Sequence, residues 1–334
     1  MNLRRTLLWL HRWAGVLAGL VVLVIAVTGG ALVFENTIQR WLRPELYPQH
    51  ATAKSERAPV AVALEKAPRA QGIRLPRDET DALVLFVGPQ AFHFDPRDGT
   101  QLGTRQRMGG WEQTMLKLHV NLLQGSSGGT IVVVATCITL GLALTGLWLW
   151  WPLRIFSIRR GSNFRRFNLD LHSVAGLYSS VFLLVLGITG LTLRYMHGEH
   201  PHNPQVPFVQ PNQPLLSVDE AIVKAEAALP GARAAAVEMT PPQRPVFRVQ
   251  LAYPEDGSPA GRSVVFISRI DGSVLGMDSS REGSLLEVYQ KNQLAMHMGS
   301  IGGTFGRWLA FLTCVALVLQ IFSGYVLWLK RKSS

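Results

Sequence analysis

Four apolar runs, at 11–34, 129–152, 172–195 and 304–329, are each long enough to cross a bilayer. Hydrocarbon satisfies no backbone polar group, so uninterrupted runs of this length must be helices. The expected fold class is therefore a membrane α-helical protein with a four-helix transmembrane bundle. The intervals follow: 1–34 as the first transmembrane helix, 35–118 as a first polar domain, and 119–153 as the second helix with its entry segment. An arginine-rich loop at 154–170 leads to a third helix at 171–195, a second polar domain at 196–290, and a fourth helix with its tail at 291–334.

The net charge of +11 would suit a nucleic-acid binder, so its location matters. Arg4, Arg5 and Arg12 lie at the start; Arg154, Arg159, Arg160, Arg165 and Arg166 fill the 154–170 loop; Lys330, Arg331 and Lys332 lie at the end. Removing these eleven from the 33 Lys and Arg leaves 22, against 22 acidic residues. The excess is a positive-inside bias and not a basic groove, so no nucleic acid is expected as a partner. Both termini and the arginine loop are expected in the cytoplasm, and both polar domains outside it. The first run lacks a small-residue cleavage site and reads as an uncleaved span. Cys137 and Cys314 lie within spans and read as packing residues rather than a disulfide.

In the first polar block, 60–67 has helical character, 82–87 and 91–95 read as strands, and Asp98-Gly99 marks a turn. Trp41 and Tyr47 suit interfacial anchors. Residues 111–123 have helical spacing and carry His119, and GSSGG at 125–129 suits a kink or break before the second span. In the second block, Ser217 to Glu220 form a capping box for a helix at 221–229. Strands at 234–239, 246–253 and 263–268 follow, with an Asp271-Gly272 turn. Each block is expected to be a small α+β domain.

The chain states its main motif twice. His11 is followed by Gly15 and Thr28-Gly29, and His172 by Gly176 and Thr189-Gly190, at identical spacings. His119 and His297 each precede a hydroxyl-glycine pair, Thr145-Gly146 or Ser323-Gly324, by twenty-six residues. DGTQLG at 98–103 matches DGSVLG at 271–276. These landmarks predict a parallel two-fold repeat about an axis along the membrane normal. Such a repeat sets His11 with His172 at the cytoplasmic face and His119 with His297 at the other.

Two imidazoles facing across an axis suit the axial positions of a haem iron, and bis-histidine ligation favours electron transfer. Other readings stand beside it. A histidine at a membrane end is often simply hydrogen-bonded; a proton relay would need acidic residues that the spans lack; direct zinc or copper binding would need further ligands. Arg12, Arg165, Arg166 and Arg307 suit haem propionates, or act only as topology determinants. His197, Glu199, His200 and His202 form a loop cluster able to meet a metal or substrate, or only solvent. His50 and His93 carry no signal.

The motifs LHRWAGVLAGL with TGGALVF, TGLWLWWP, DLHSVAGLY with GITG, and MHMGSIGGTFGRW with SGYVLWLKRK resemble those of the PepSY-associated transmembrane proteins, often called iron-regulated membrane proteins. SVDEAIVKAEAALPGA with DGSVLG resembles the PepSY domain itself, and 58–103 a weaker copy. The resemblance implies a relation to ferric-siderophore reductases of the bacterial inner membrane, with two haems b between four helices. It implies His11, His172, His119 and His297 as axial ligands of the haem irons, with Arg12 and Arg307 as cofactor-binding residues. On this reading electrons pass from an unidentified cytoplasmic or membrane donor to a ferric siderophore or other ferric chelate in the periplasm, releasing ferrous iron. The rival is a non-enzymatic membrane anchor whose PepSY domains bind a protein or restrain a peptidase.

Overall fold

The computed structural model describes residues 3–51, 53, 57–107, 109–159, 161–196, 215–240, 245–257 and 261–330. Its contacts divide into two compact units, Met1–Glu35 with Trp111–Met196 and Gln293–Ser334, and Asn36–Gly110 with His197–Asn292.

In the first unit, four helices are long and apolar enough to cross a membrane. They are α1 (Leu3–Val33), α5 (Gly125–Trp150), α6 (Phe164–Tyr195) and α9 (Gly303–Leu329). Their exposed faces carry Leu17, Leu20, Val181 and Leu312, as a surface meeting lipid would. α1 and α6 each pack on both α5 and α9, closing a four-helix ring around Ala18, Val22 and Ala135. A shorter helix, α4 (Trp111–Asn121), precedes α5, and α8 (Leu285–His297), whose last residues from Gln293 belong to this unit, precedes α9.

α1 and α6 begin about two turns earlier than their apolar runs, so His11 and His172 lie inside helices rather than at their starts. The arginine-bearing turns before each histidine keep helical spacing, and Asn163 caps α6 by accepting the Arg166 N–H at 2.9 Å. The break before α5 begins at Leu122 and reaches the first residue of the glycine run, Gly125, whose φ is +60°. Leu122 and Leu123 take left-handed backbone, and GSSGG opens the new helix. At Gly128 an added Cβ would lie 1.8 Å from the Asn121 carbonyl oxygen, so only glycine allows the end of α4 to meet α5 there.

In the second unit, α2 (Glu35–Leu42) and a 3-10 turn at Pro44–Leu46 lead to α3 (Val60–Lys66). Strands β1 (Gly72–Arg74), β2 (Leu83–Val87), β3 (Gln90–Phe94) and β4 (Gln101–Gln106) follow. α7 (Val218–Ala228) precedes β5 (Arg233–Met239), β6 (Val246–Ala252), β7 (Ser263–Ser268) and β8 (Val274–Asp278). The two polar blocks do not form two separate sheets. They share one antiparallel sheet of order β4-β3-β2-β1-β5-β6-β7-β8, joined where Ile73 pairs with Val237.

Alternation along the strands explains the layering. Phe247, Val249 and Leu251 of β6 point to the face covered by α3 and α7, where they meet Ile73, Leu85, Phe94, Val237 and Ile267. Asp219 of α7 accepts the Val60 and Ala61 N–H groups at 2.8 and 3.0 Å, so one half's helix caps the other's. The expected capping box at Ser217 and Glu220 is present.

Candidate functional site: two facing histidine pairs

Each predicted histidine lies beside its predicted partner. The rings of His11 and His172 have centres 6.2 Å apart at an interplanar angle of 84°. Those of His119 and His297 are 6.0 Å apart at 60°.

The rings are held by the hydroxyl-glycine pairs of other helices. His11 Nδ1 lies 2.9 Å from Thr145 Oγ1. His119 Nδ1 meets the Ile25 carbonyl at 3.0 Å and Thr28 Oγ1 at 3.3 Å. His172 Nδ1 meets the Gln320 carbonyl at 3.0 Å and Ser323 Oγ at 3.2 Å. His297 Nδ1 meets the Leu186 carbonyl at 2.9 Å and Thr189 Oγ1 at 3.2 Å. The adjoining glycine makes room for the ring. An added Cβ at Gly29 would lie 2.9 Å from His119 Cε1, and one at Gly190 3.0 Å from His297 Cε1.

On α1, His11 and the seat of His119 at Thr28 are seventeen residues apart. At 1.5 Å per residue this sets the two pairs about 25 Å apart along the helix. The His11–His172 pair borders a cavity of about 600 Å³. Gly15, Gly19 and Gly176 thin its walls, and Arg4, Arg12, Arg165 and Arg166 line it. Arg166 also pairs with the fully buried Asp170 at 3.0 Å. Arg307 does not border this cavity; it sits half-buried in the first turns of α9.

Each pair supplies two imidazoles, and among the described residues no group of three or more His, Cys, Asp or Glu side chains is placed to hold a bare metal ion. This donor set suits a metal that arrives with its remaining ligands in a macrocycle. Two imidazoles sharing one metal at about 2.0–2.1 Å per nitrogen have ring centres about 6.4 Å apart, close to both separations here. The loop cluster of His197, Glu199, His200 and His202 lies outside the described residues.

Sequence spacing found the histidines but not their seats. Thr28-Gly29, Thr145-Gly146, Thr189-Gly190 and Ser323-Gly324 served there as landmarks, and their repetition was the available signal. It also passed over His93, which lies buried in the sheet of the second unit with Nδ1 3.1 Å from the Leu46 carbonyl. Burial first, then the Arg74 and Arg105 cations, push this ring down to about 3. Tyr47, expected at a membrane interface, packs edge-on against His93 at 6.0 Å.

Cys137 and Cys314 are free thiols. No curated protein matches the chain. The model of one family, the PepSY-associated TM region, matches residues 8–331 and so takes in all four spans and both histidine pairs. The chain therefore belongs to the PepSY-associated transmembrane family.

Proposed function

We propose that this protein is a di-haem b-type oxidoreductase of the bacterial inner membrane that passes electrons to a ferric siderophore or other ferric chelate outside. The observation that carries the proposal is the pair of imidazole separations, 6.2 and 6.0 Å, each with Nδ1 anchored to a helix other than its own or its partner's. Among the described residues no hydrogen bond engages Nε2 of any of the four, so that nitrogen is left to a ligand.

Haem iron held by these imidazoles would supply one-electron chemistry. His11 and His172 would hold the cytoplasmic-side group, His119 and His297 the periplasmic-side one. Arg4, Arg12, Arg165 and Arg166, which line the inner cavity, would meet the carboxylates of the group held there. Arg307, far along α9 from that cavity, is assigned to the outer group. Iron leaving a chelator is substrate here: one electron lowers its charge and weakens the attraction of hard oxygen donors.

The proposal includes the two-fold repeat, both termini in the cytoplasm and the sheet unit in the periplasm. Its support is the recurrence of each histidine–hydroxyl contact at matched spacing and the mirrored strand order. The test is an absorption spectrum of the full chain purified in detergent. A Soret band with sharp reduced α and β bands and about two haems per chain is expected. His11→Ala and His172→Ala should each remove one haem and leave the other. A colourless protein would support the membrane-anchor reading instead.

A further inference from the structure

The hydroxyl-glycine seats do more than fill space, because their own hydrogen bonds decide which ring nitrogen keeps a proton. Each hydroxyl is within donating distance of the carbonyl four residues earlier. Thr28 reaches Val24 at 2.6 Å, Thr145 reaches Gly141 at 2.8 Å, Thr189 reaches Val185 at 2.7 Å and Ser323 reaches Leu319 at 2.7 Å. A hydroxyl has one hydrogen, so once it is donated to the backbone the oxygen faces the histidine as an acceptor. The Ile25, Leu186 and Gln320 carbonyls beside Nδ1 of His119, His297 and His172 accept only.

His11 is the exception. Among the described residues its Nδ1 has Thr145 Oγ1 as its one partner, with no carbonyl beside it. The corresponding carbonyl, Leu142, lies within helix α5 and meets the Thr145 hydroxyl at 3.3 Å, and it makes no hydrogen bond to His11.

We infer that the four seats lock each histidine in the Nδ1–H form with the Nε2 lone pair facing its partner ring, and that Thr145 alone performs this for His11. This deepens the proposed function and rests on it for the loaded protein, but the tautomer belongs to the chain itself. Thr145 is a positioning residue: it acts through His11. Without it, a buried Nδ1–H loses its acceptor, whereas His119, His172 and His297 keep a carbonyl when their hydroxyl is removed. Loss of the acceptor also lowers the basicity of the ligand nitrogen.

The experiment compares the full chain in detergent with Thr145→Val, Thr145→Ser, Thr28→Val and Thr189→Val. Haem uptake is followed by Soret absorbance, and reduction by potentiometric titration of the α band. Thr145→Val should weaken one of two haem sites by about 10–100-fold or move its reduction wave to higher potential. Thr145→Ser should restore both, and Thr28→Val and Thr189→Val should change either site by much less. Equal effects for all three valine variants, or none for Thr145→Val, would overturn the inference. Nitrogen-15 NMR of histidine-labelled protein without haem reads the tautomers directly. Four Nδ1–H rings in the wild type, and a changed His11 signal in Thr145→Val, uphold the inference even if the protein proves colourless. Nε2–H rings at these positions would sink it.

Discussion

At Gly29 and Gly190 the fourth substituent on Cα is a hydrogen because a histidine ring occupies the space a methyl would need. The same added atom at Gly324 would meet His172 at an ordinary 3.5 Å. Gly29→Ala and Gly190→Ala are therefore expected to displace His119 or His297 and reduce bound haem from two to one per chain. Gly324→Ala should retain both, and haem content per chain measures the difference. His93 makes a second prediction at this scale. Its folded ring stays neutral down to about pH 3, while the unfolded ring takes a proton near its usual 6.5. The folded unit then binds fewer protons in that window, so stability present above pH 6.5 is lost as pH falls. Thermal unfolding should show a loss of about 1.4 kcal/mol per pH unit between pH 6 and 5, where carboxylates remain ionised. His93→Gln should flatten that slope. Sequence displayed the four membrane histidines through repetition; His93 has no repeat partner, and its burial depends on Leu46 and β4 folding over it.

Among the elements, long apolar helices and alternating strands were readable because their period is carried by every residue. β1 was not: three residues, GIR, carry too little alternation to mark a strand, and pairing on both sides makes it one. The α4–α5 break includes the expected Gly125 but starts three residues earlier, where Leu122 and Leu123 take left-handed backbone that no leucine signals in sequence. The junction of α7 and α3 gives a prediction proper to elements. Asp219→Ala removes two acceptor contacts from the first turn of α3 and should cost about 1 kcal/mol. Hydrogen exchange of the full chain should then quicken about fivefold in 60–66, with the β6 and β7 amides little changed. Asp219→Asn keeps one acceptor oxygen and should fall between.

For the whole molecule, the number of membrane-length helices, the polar blocks and the pairing of histidines followed from spacing, whereas the single shared sheet and the helices α2 and α8 did not. The sheet depends on contact between residues 160 or more positions apart, which no local pattern records. The bundle likewise brings each histidine to a helix other than its own: α4 reaches α1, and α8 reaches α6.

That shared sheet bears on biogenesis. Until β5 is made, the four strands of the first half end in an unpaired edge at β1, with Ile73 waiting for Val237. Two more membrane crossings must be synthesised before the edge is closed. Over that interval the nascent chain carries an exposed, aggregation-prone ladder, and a chaperone that shields it would meet this protein at a defined stage of its synthesis.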